Sequence, residues 1–73
     1  MRKRSVTVDG HRTSISLEDA FWDELLAIAR RRGQSLNALV AEIDRGRGGA
    51  GNLSSALRLC VLDDLRKRTI SRA

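Results

Sequence analysis

A short alternating segment near the start of the chain constrains the fold more than any other feature. In HRTSISL, residues 11–17, polar and apolar side chains alternate, as they do in a strand with one buried face. The polar face would hold Arg12, Ser14 and Ser16, and the apolar face Thr13, Ile15 and Leu17. A strand needs a hydrogen-bonded neighbour, and everything after residue 17 has helical patterning. The identity of that neighbour therefore decides the fold.

Two neighbours are available to this strand. Residues 5–8 can pair with residues 11–14 in a hairpin, because Asp9-Gly10 suits a type I′ turn. That hairpin would leave Ile15 and Leu17 beyond the paired region. The same strand of a second chain can instead pair antiparallel to it around a twofold axis. We favour this ribbon shared by a homodimer, and the hairpin stays open as the alternative.

The size of the chain also favours a second subunit. The chain has 73 residues, one cysteine and one histidine. Domains this small are usually stabilised by disulfides, a metal or oligomerisation, and a single Cys60 beside a single His11 argues against the first two. We therefore expect an oligomer that has no metal site and no cofactor.

Three segments have helical periodicity. They are LEDAFWDELLAIARRRG, QSLNALVAEIDRG and NLSSALRLCVLDDLRKR, with apolar residues recurring every three or four positions. Ser35 and Asn52 suit helix N-caps, and Gly33 and Gly46 suit helix ends. The predicted fold is mainly α, with one short N-terminal strand, two core helices and a third, C-terminal helix whose broad apolar arc again suggests a second subunit.

Charge and composition narrow the class of function. The net charge is +5, and residues 1–17 hold four basic side chains against one acidic, a balance that favours phosphate-bearing partners. No apolar run is long enough for a membrane span, and the basic start lacks the apolar core of a secretory signal. We therefore expect a cytoplasmic protein. Nothing resembles a catalytic constellation, so an enzyme is not expected, and GRGGAG lacks the preceding strand of a dinucleotide-binding motif.

The predicted ribbon suits DNA. A two-stranded β-ribbon fits the major groove, where arginine can bind guanine O6 and N7 and serine can reach several base edges. The order of strand, helix, G-x-S-x-N and second helix, roughly residues 12–43, resembles the Arc/MetJ-like ribbon-helix-helix superfamily of bacterial DNA-binding proteins. GHRTSISLEDAFW and NLSSALRL are similar to a subfamily of small bacterial ribbon-helix-helix domain proteins.

The resemblance implies roles for particular residues. The base-reading positions would be Arg12, Ser14 and Ser16, and backbone amides at Ser35, Leu36 and Asn37 would bind a phosphate, as a helix N-terminus can. Ser16 could instead cap the first helix through its spacing to Asp19. Lys3 and Arg4 of the basic arm are further phosphate candidates. The expected dimer core comprises Thr13, Ile15, Leu17, Phe21, Leu25, Leu39 and Val40.

The predicted organisation has four parts: a basic arm (1–11), a ribbon-helix-helix DNA-binding domain (12–45), a glycine-rich break (46–51), and a C-terminal helix with a frayed tail (52–73). The predicted function is sequence-preferring transcriptional regulation by a homodimer, or a tetramer, on double-stranded DNA. The alternative is a protein-interaction module, such as an antitoxin or an adaptor, that works through the C-terminal helix.

Overall fold

The structure, a computed structural model, describes residues 2–46 and 52–70. These residues form β1 (Arg2–Val8), β2 (His11–Leu17), α1 (Asp19–Arg31), α2 (Leu36–Gly46) and α3 (Leu53–Ile70). This is the predicted ribbon-helix-helix architecture with an additional C-terminal helix. Most of the predicted glycine-rich break and the end of the predicted frayed tail, residues 47–51 and 71–73, lie outside the described residues.

The two strands form a hairpin within one chain. They pair antiparallel from Arg2 opposite Leu17 to Val8 opposite His11. Asp9 and Gly10 form the turn with φ values of 50° and 81°, the left-handed pair that a type I′ turn requires and that glycine adopts readily.

This hairpin corrects two predictions. Residues 2–8 are a strand, so the predicted basic arm of residues 1–11 is wrong. The described neighbour of the predicted strand is β1 of the same chain, as in the alternative, and the pairing extends past Ile15 to Leu17. A two-residue turn closes this pairing at a small entropic cost, and its twist matches the twist of the two strands.

The hydrophobic core lies between the inner face of the hairpin and the three helices. Its buried residues are Val6, Val8, Ile15, Leu17, Leu25, Ile28, Ala29, Leu39, Val40, Ala41, Leu57 and Val61. Leu57 and Val61 belong to α3, which lies against β2, α1 and α2. The third helix is therefore part of the core rather than an appendage.

The predicted dimer core is largely buried inside a single chain. Five of its seven members are in the core, whereas Phe21 is half-buried and Thr13 is exposed. The physical reason is that β1 and α3 of the same chain cover the apolar surfaces for which we expected a second subunit.

The helix ends follow the predicted local signals. At the end of α1, the N–H of Gln34 donates to the carbonyl of Ala29 at 2.9 Å, and the N–H of Gly33 donates to the carbonyl of Arg30 at 3.1 Å. Gly33 has φ 68°, so the expected glycine stop is a Schellman motif.

Side chains cap two of the three helices. The Oγ of Ser35 accepts the N–H of Ala38 at 3.1 Å, and the Oδ1 of Asn52 accepts the N–H of Ser55 at 2.8 Å. Both N-cap predictions are confirmed. The N-cap of α1 is Glu18, without a side-chain cap bond, so the alternative in which Ser16 caps α1 is not realised. No helix in the described part of the chain is long and apolar enough to cross a membrane.

Candidate nucleic-acid interface

The register of the hairpin assigns each side chain to one face of the ribbon. Lys3 lies opposite Ser16, Ser5 opposite Ser14, and Thr7 opposite Arg12. The N–H groups of Ser16 and Thr7 donate to side chains outside the sheet. These three pairs are therefore the non-hydrogen-bonded pairs of the ladder, in which facing side chains lie closest together.

All six of these side chains share the outward face of the ribbon, which we call the polar face: Lys3, Ser5, Thr7, Arg12, Ser14 and Ser16. The first five are exposed and Ser16 is half-buried. None of the six is acidic, so the face carries only positive charge and hydroxyl groups. The predicted base-reading residues therefore lie on one face, and β1 adds three polar side chains to it, one of which is the predicted phosphate contact Lys3.

Two residues of the polar face, Ser5 and Thr7, are absent from the predicted interface. The signal for them is the alternation in SVTV directly before Asp9-Gly10, which matches the alternation of HRTSISL. In a two-residue hairpin the face of each residue in one strand follows from the register of the other. The hairpin alternative, when its register is applied to both strands, places Ser5 and Thr7 on the same face as Arg12 and Ser14.

Arg4 lies on the opposite face of the ribbon from Lys3. Its guanidinium lies 4.5 Å from the centroid of the Trp22 ring, and its Nη2 lies 3.1 Å from a carboxylate oxygen of Asp19. The prediction of Arg4 as a phosphate contact is corrected, because the parity of β1 turns this side chain towards α1.

The N-terminus of α2 opens beside β1. The N–H of Thr7 donates to the Oδ1 of Asn37 at 3.3 Å, which ties the first turn of α2 to the outer edge of the ribbon. Ser35 binds the N–H of Ala38, while in the described part of the chain the N–H groups of Leu36 and Asn37 have no protein acceptor. The predicted phosphate site is thus adjacent to the polar face, with two unused donors at the positive end of a helix.

The outer edge of β2 is closed at one end by α3. The N–H of Ser16 donates to the Oγ of Ser54 at 3.3 Å, and the Nη2 of Arg58 donates to the Ser16 carbonyl at 3.5 Å. The Nε of Arg58 also donates to Glu18 at 3.0 Å. Hydrogen bonds from its own backbone N–H and from Arg58 lower the pKa of the Glu18 carboxyl. These contacts hold Ser16 in a fixed, half-buried position.

Other chemistry has little support among the described residues. Across residues 2–46 and 52–70, no three histidine, cysteine, aspartate or glutamate side chains group where they could hold a metal ion. Burial raises the pKa of the Cys60 thiol, which keeps it protonated at neutral pH and unreactive.

Comparison with known proteins supports the architecture. A family model for the ribbon-helix-helix domain matches residues 1–65. Among solved structures, the chain is similar to an uncharacterized protein from Bordetella pertussis Tohama I, with 34% identity and a TM-score of 0.82. The match covers 99% of this chain and 61% of that one, so this chain spans about three-fifths of the length of its relative. No curated protein matches the chain.

Ribbon-helix-helix domains are typically DNA-binding or antitoxin-like, typically form dimers, and are generally not enzymes. The match of the family model extends over both strands, the first two helices and most of α3. The chain belongs to the ribbon-helix-helix domain family.

Proposed function

We propose that the protein is a sequence-preferring, DNA-binding transcriptional regulator that inserts the ribbon of β1 and β2 into the major groove. The observation that carries this proposal is the polar face, where six side chains with no acidic member project from one side of a two-stranded ribbon. Neighbouring strands lie about 4.8 Å apart, so a two-stranded ribbon with its side chains fits a groove about 12 Å wide.

Within the proposed interface, Arg12 is the main reader of sequence. It is exposed, and a guanidinium can donate two parallel hydrogen bonds to O6 and N7 of guanine. Ser14 can donate or accept, so it tolerates several bases. Ser16 contributes less, since it is half-buried and α3 holds its backbone. Base preference should therefore be strongest where Arg12 contacts the duplex.

The N-terminus of α2 would bind the DNA backbone. When the ribbon lies in the groove, a phosphate row runs along its edge, and the unused N–H groups of Leu36 and Asn37 lie beside the edge of β1. Ser35, Leu36 and Asn37 together offer a helix N-terminus to a phosphate, and Lys3 adds a flexible positive charge from the polar face. Arg4 has no part in this contact.

In this proposal the protein acts in the bacterial cytoplasm, where the DNA is accessible. Two chains acting together would place two ribbons on two half-sites, so a twofold protein would prefer a palindromic operator. The polar face alone presents few base-reading groups, and pairing two copies would raise both affinity and specificity.

The test is selection of preferred sequences from random duplex DNA, followed by gel-shift titration. Arg12→Ala should weaken binding to the selected duplex by about 1–3 kcal/mol and relax its base preference. Arg66→Ala is the matched control, because Arg66 is exposed on α3 and belongs neither to the polar face nor to the N-terminus of α2. With about four to six phosphate contacts, log affinity should fall against log salt with a slope of about −4 to −5. An Arg12→Ala chain that keeps its affinity and preference would contradict the proposal.

A second candidate function is the binding of another protein through α3. Three exposed leucines on this helix favour it, since Leu59, Leu62 and Leu65 are 64%, 42% and 41% exposed. An antitoxin or an adaptor would use such a surface. A chain that binds no duplex and remains a single copy in solution would favour this second function over the first.

A further inference from the structure

Helix α2 is held against the hairpin by two kinds of contact. Val40 of the helix and Val6 of β1 belong to the same hydrophobic core. Apolar packing has no preferred direction, so it holds the helix against the strand without fixing its position along the strand. The N–H of Thr7 donates to the Oδ1 of Asn37 at 3.3 Å, and a hydrogen bond has a preferred length and angle. This bond therefore sets where the first turn of α2 lies along β1.

Asn37 lies between the two kinds of DNA contact that we propose. Its backbone N–H belongs to the helix N-terminus proposed for phosphate binding, and its side chain binds Thr7 of β1. Thr7 lies opposite Arg12 in the ladder, in a non-hydrogen-bonded pair whose Cα atoms are about 4.5 Å apart. One residue thus connects the phosphate contact to the strand position that faces the main base reader.

The separation between these contacts matters on a duplex. Phosphate contacts set the position of a protein on DNA, whereas base contacts read the sequence. A functional side chain has to be held within about 0.5 Å of its working geometry, and the two hydrogen bonds from Arg12 to guanine are short and directional. A shift of α2 along β1 would keep the phosphate contact and misplace the guanidinium. The shift would therefore reduce base preference more than affinity for DNA in general.

We propose that Asn37 is a positioning residue for sequence recognition. By binding the N–H of Thr7, its side chain keeps the phosphate contact of α2 and the base contact of Arg12 at a fixed separation. The inference rests on the proposed function, and it assigns the side chain of Asn37 no base contact of its own. At the other end of α2, Arg45 lies 3.2 Å from Asp9 of the turn. This exposed ion pair should contribute less, since such pairs are weak.

The first test measures gel-shift affinities of the full chain for the selected duplex and for an unrelated duplex. Asn37→Ala removes the acceptor and keeps the backbone N–H. Affinity for the unrelated duplex should stay within about twofold of the wild type, whereas the ratio of the two affinities should fall about tenfold, part of what a bidentate base contact contributes. An Asn37→Ala chain that keeps the wild-type ratio would overturn this inference alone. A wild-type chain without base preference would overturn the proposed function, and this inference with it.

The matched control is Asn37→Asp. Aspartate keeps an acceptor oxygen for the N–H of Thr7, and a carboxylate is favourable in the first turn of a helix. Its charge should repel the nearby phosphate, so affinity for both duplexes should fall by the same factor while their ratio stays near that of the wild type. A ratio that falls in Asn37→Asp as far as in Asn37→Ala would contradict a role for the hydrogen bond.

The second test combines Asn37→Ala with Arg12→Ala. If Asn37 acts through Arg12, its loss should change the affinity ratio by less than about twofold in the Arg12→Ala background, because the two effects are then not additive. A full tenfold effect in that background would mean that Asn37 reads a base directly, and it would overturn the positioning role.

The third test needs no DNA. Asn37→Ala should speed the hydrogen exchange of the Thr7 N–H, since that group loses its acceptor. The Val6 N–H is the internal reference, because Val6 and Thr13 form a hydrogen-bonded pair of the ladder. Circular dichroism should show wild-type helix content in both Asn37 variants. Unchanged exchange at Thr7 would overturn the inference, because the hydrogen bond would then not hold the strand.

Discussion

Alternate residues of a strand face opposite sides, and in β1 this separates the neighbouring basic residues Lys3 and Arg4. Lys3 is exposed on the polar face, where its charge is available to a phosphate. Arg4 lies over Trp22 and its Nη2 reaches Asp19, so its charge is paired within the molecule. We therefore expect Lys3 to contribute to DNA binding and Arg4 to contribute to stability, although the two basic residues are neighbours in the sequence.

Arg4→Ala should therefore lower stability, and Lys3→Ala should lower DNA affinity. Loss of the contacts with Trp22 and Asp19 should cost about 1–2 kcal/mol of unfolding free energy, whereas Lys3→Ala should cost less than about 0.5 kcal/mol. Lys3→Ala should reduce the magnitude of the salt slope of duplex binding by about 1, and Arg4→Ala should leave the slope unchanged. Urea denaturation and salt titration measure the two effects. A smaller salt slope for Arg4→Ala, with an unchanged slope for Lys3→Ala, would instead identify Arg4 as the residue that contacts DNA.

At the scale of the elements, α3 links β2 to the start of α1. Through Ser54 and Arg58 it binds both outward backbone groups of Ser16, and through Arg58 it also binds Glu18, the N-cap of α1. A helix that covers the end of an edge strand also protects that strand from adding another. The third helix therefore sets both the position of Ser16 and the number of strands in the sheet.

The link through Glu18 should depend on pH. The pKa of Glu18 is lowered in the folded state, so its stabilising effect is present above the ordinary carboxyl pKa and is lost as the pH falls through the lowered value. Glu18→Gln should reduce the melting temperature at pH 7, and its difference from the wild type should shrink as the pH falls below the ordinary carboxyl pKa and vanish below the lowered folded-state pKa. Thermal melts across this range measure it, with Asp23→Asn, an exposed change of equal charge on α1, as the control. A difference that is constant with pH would exclude the ionised carboxylate as the cause.

The whole molecule is small enough for each core side chain to matter. A chain of 73 residues buries a modest share of its surface on folding, and one or two kcal/mol is then a large part of its stability. In this protein α3 contributes Leu57 and Val61 to the core, in addition to the residues from the hairpin and the first two helices. The free energy of unfolding therefore depends on packing by all the described elements, α3 included.

Leu57→Ala should be far more damaging than Leu59→Ala, although the two leucines lie on the same helix two residues apart. Leu57 is fully buried and Leu59 is 64% exposed, so the first change should cost about 2–5 kcal/mol and the second less than about 0.5 kcal/mol. Chemical denaturation of the two variants at one concentration, low enough to exclude association, makes the comparison. Equal losses would mean that α3 does not pack through Leu57.

Much of the fold follows from signals that act over a few residues. Gly33 ends α1 because its left-handed conformation allows a Schellman motif, and Ser35 and Asn52 cap helices because their side-chain oxygens reach an N–H three residues on. The alternation of HRTSISL also assigned Arg12, Ser14 and Ser16 to one face. These features depend on local geometry, so the residues next to them are enough to predict them.

The strand partner, the environment of Arg4 and the burial of α3 depend on residues that are distant along the chain. The sequence alone determined the helices, their ends and which side chains of β2 share a face, because backbone geometry fixes these within a turn or a pair of residues. The tertiary structure decided that β1, rather than a second chain, completes the ribbon, and that α3 closes the core. Those outcomes depend on which apolar surfaces meet in space and how much each contact buries, and a one-dimensional pattern leaves several such pairings open.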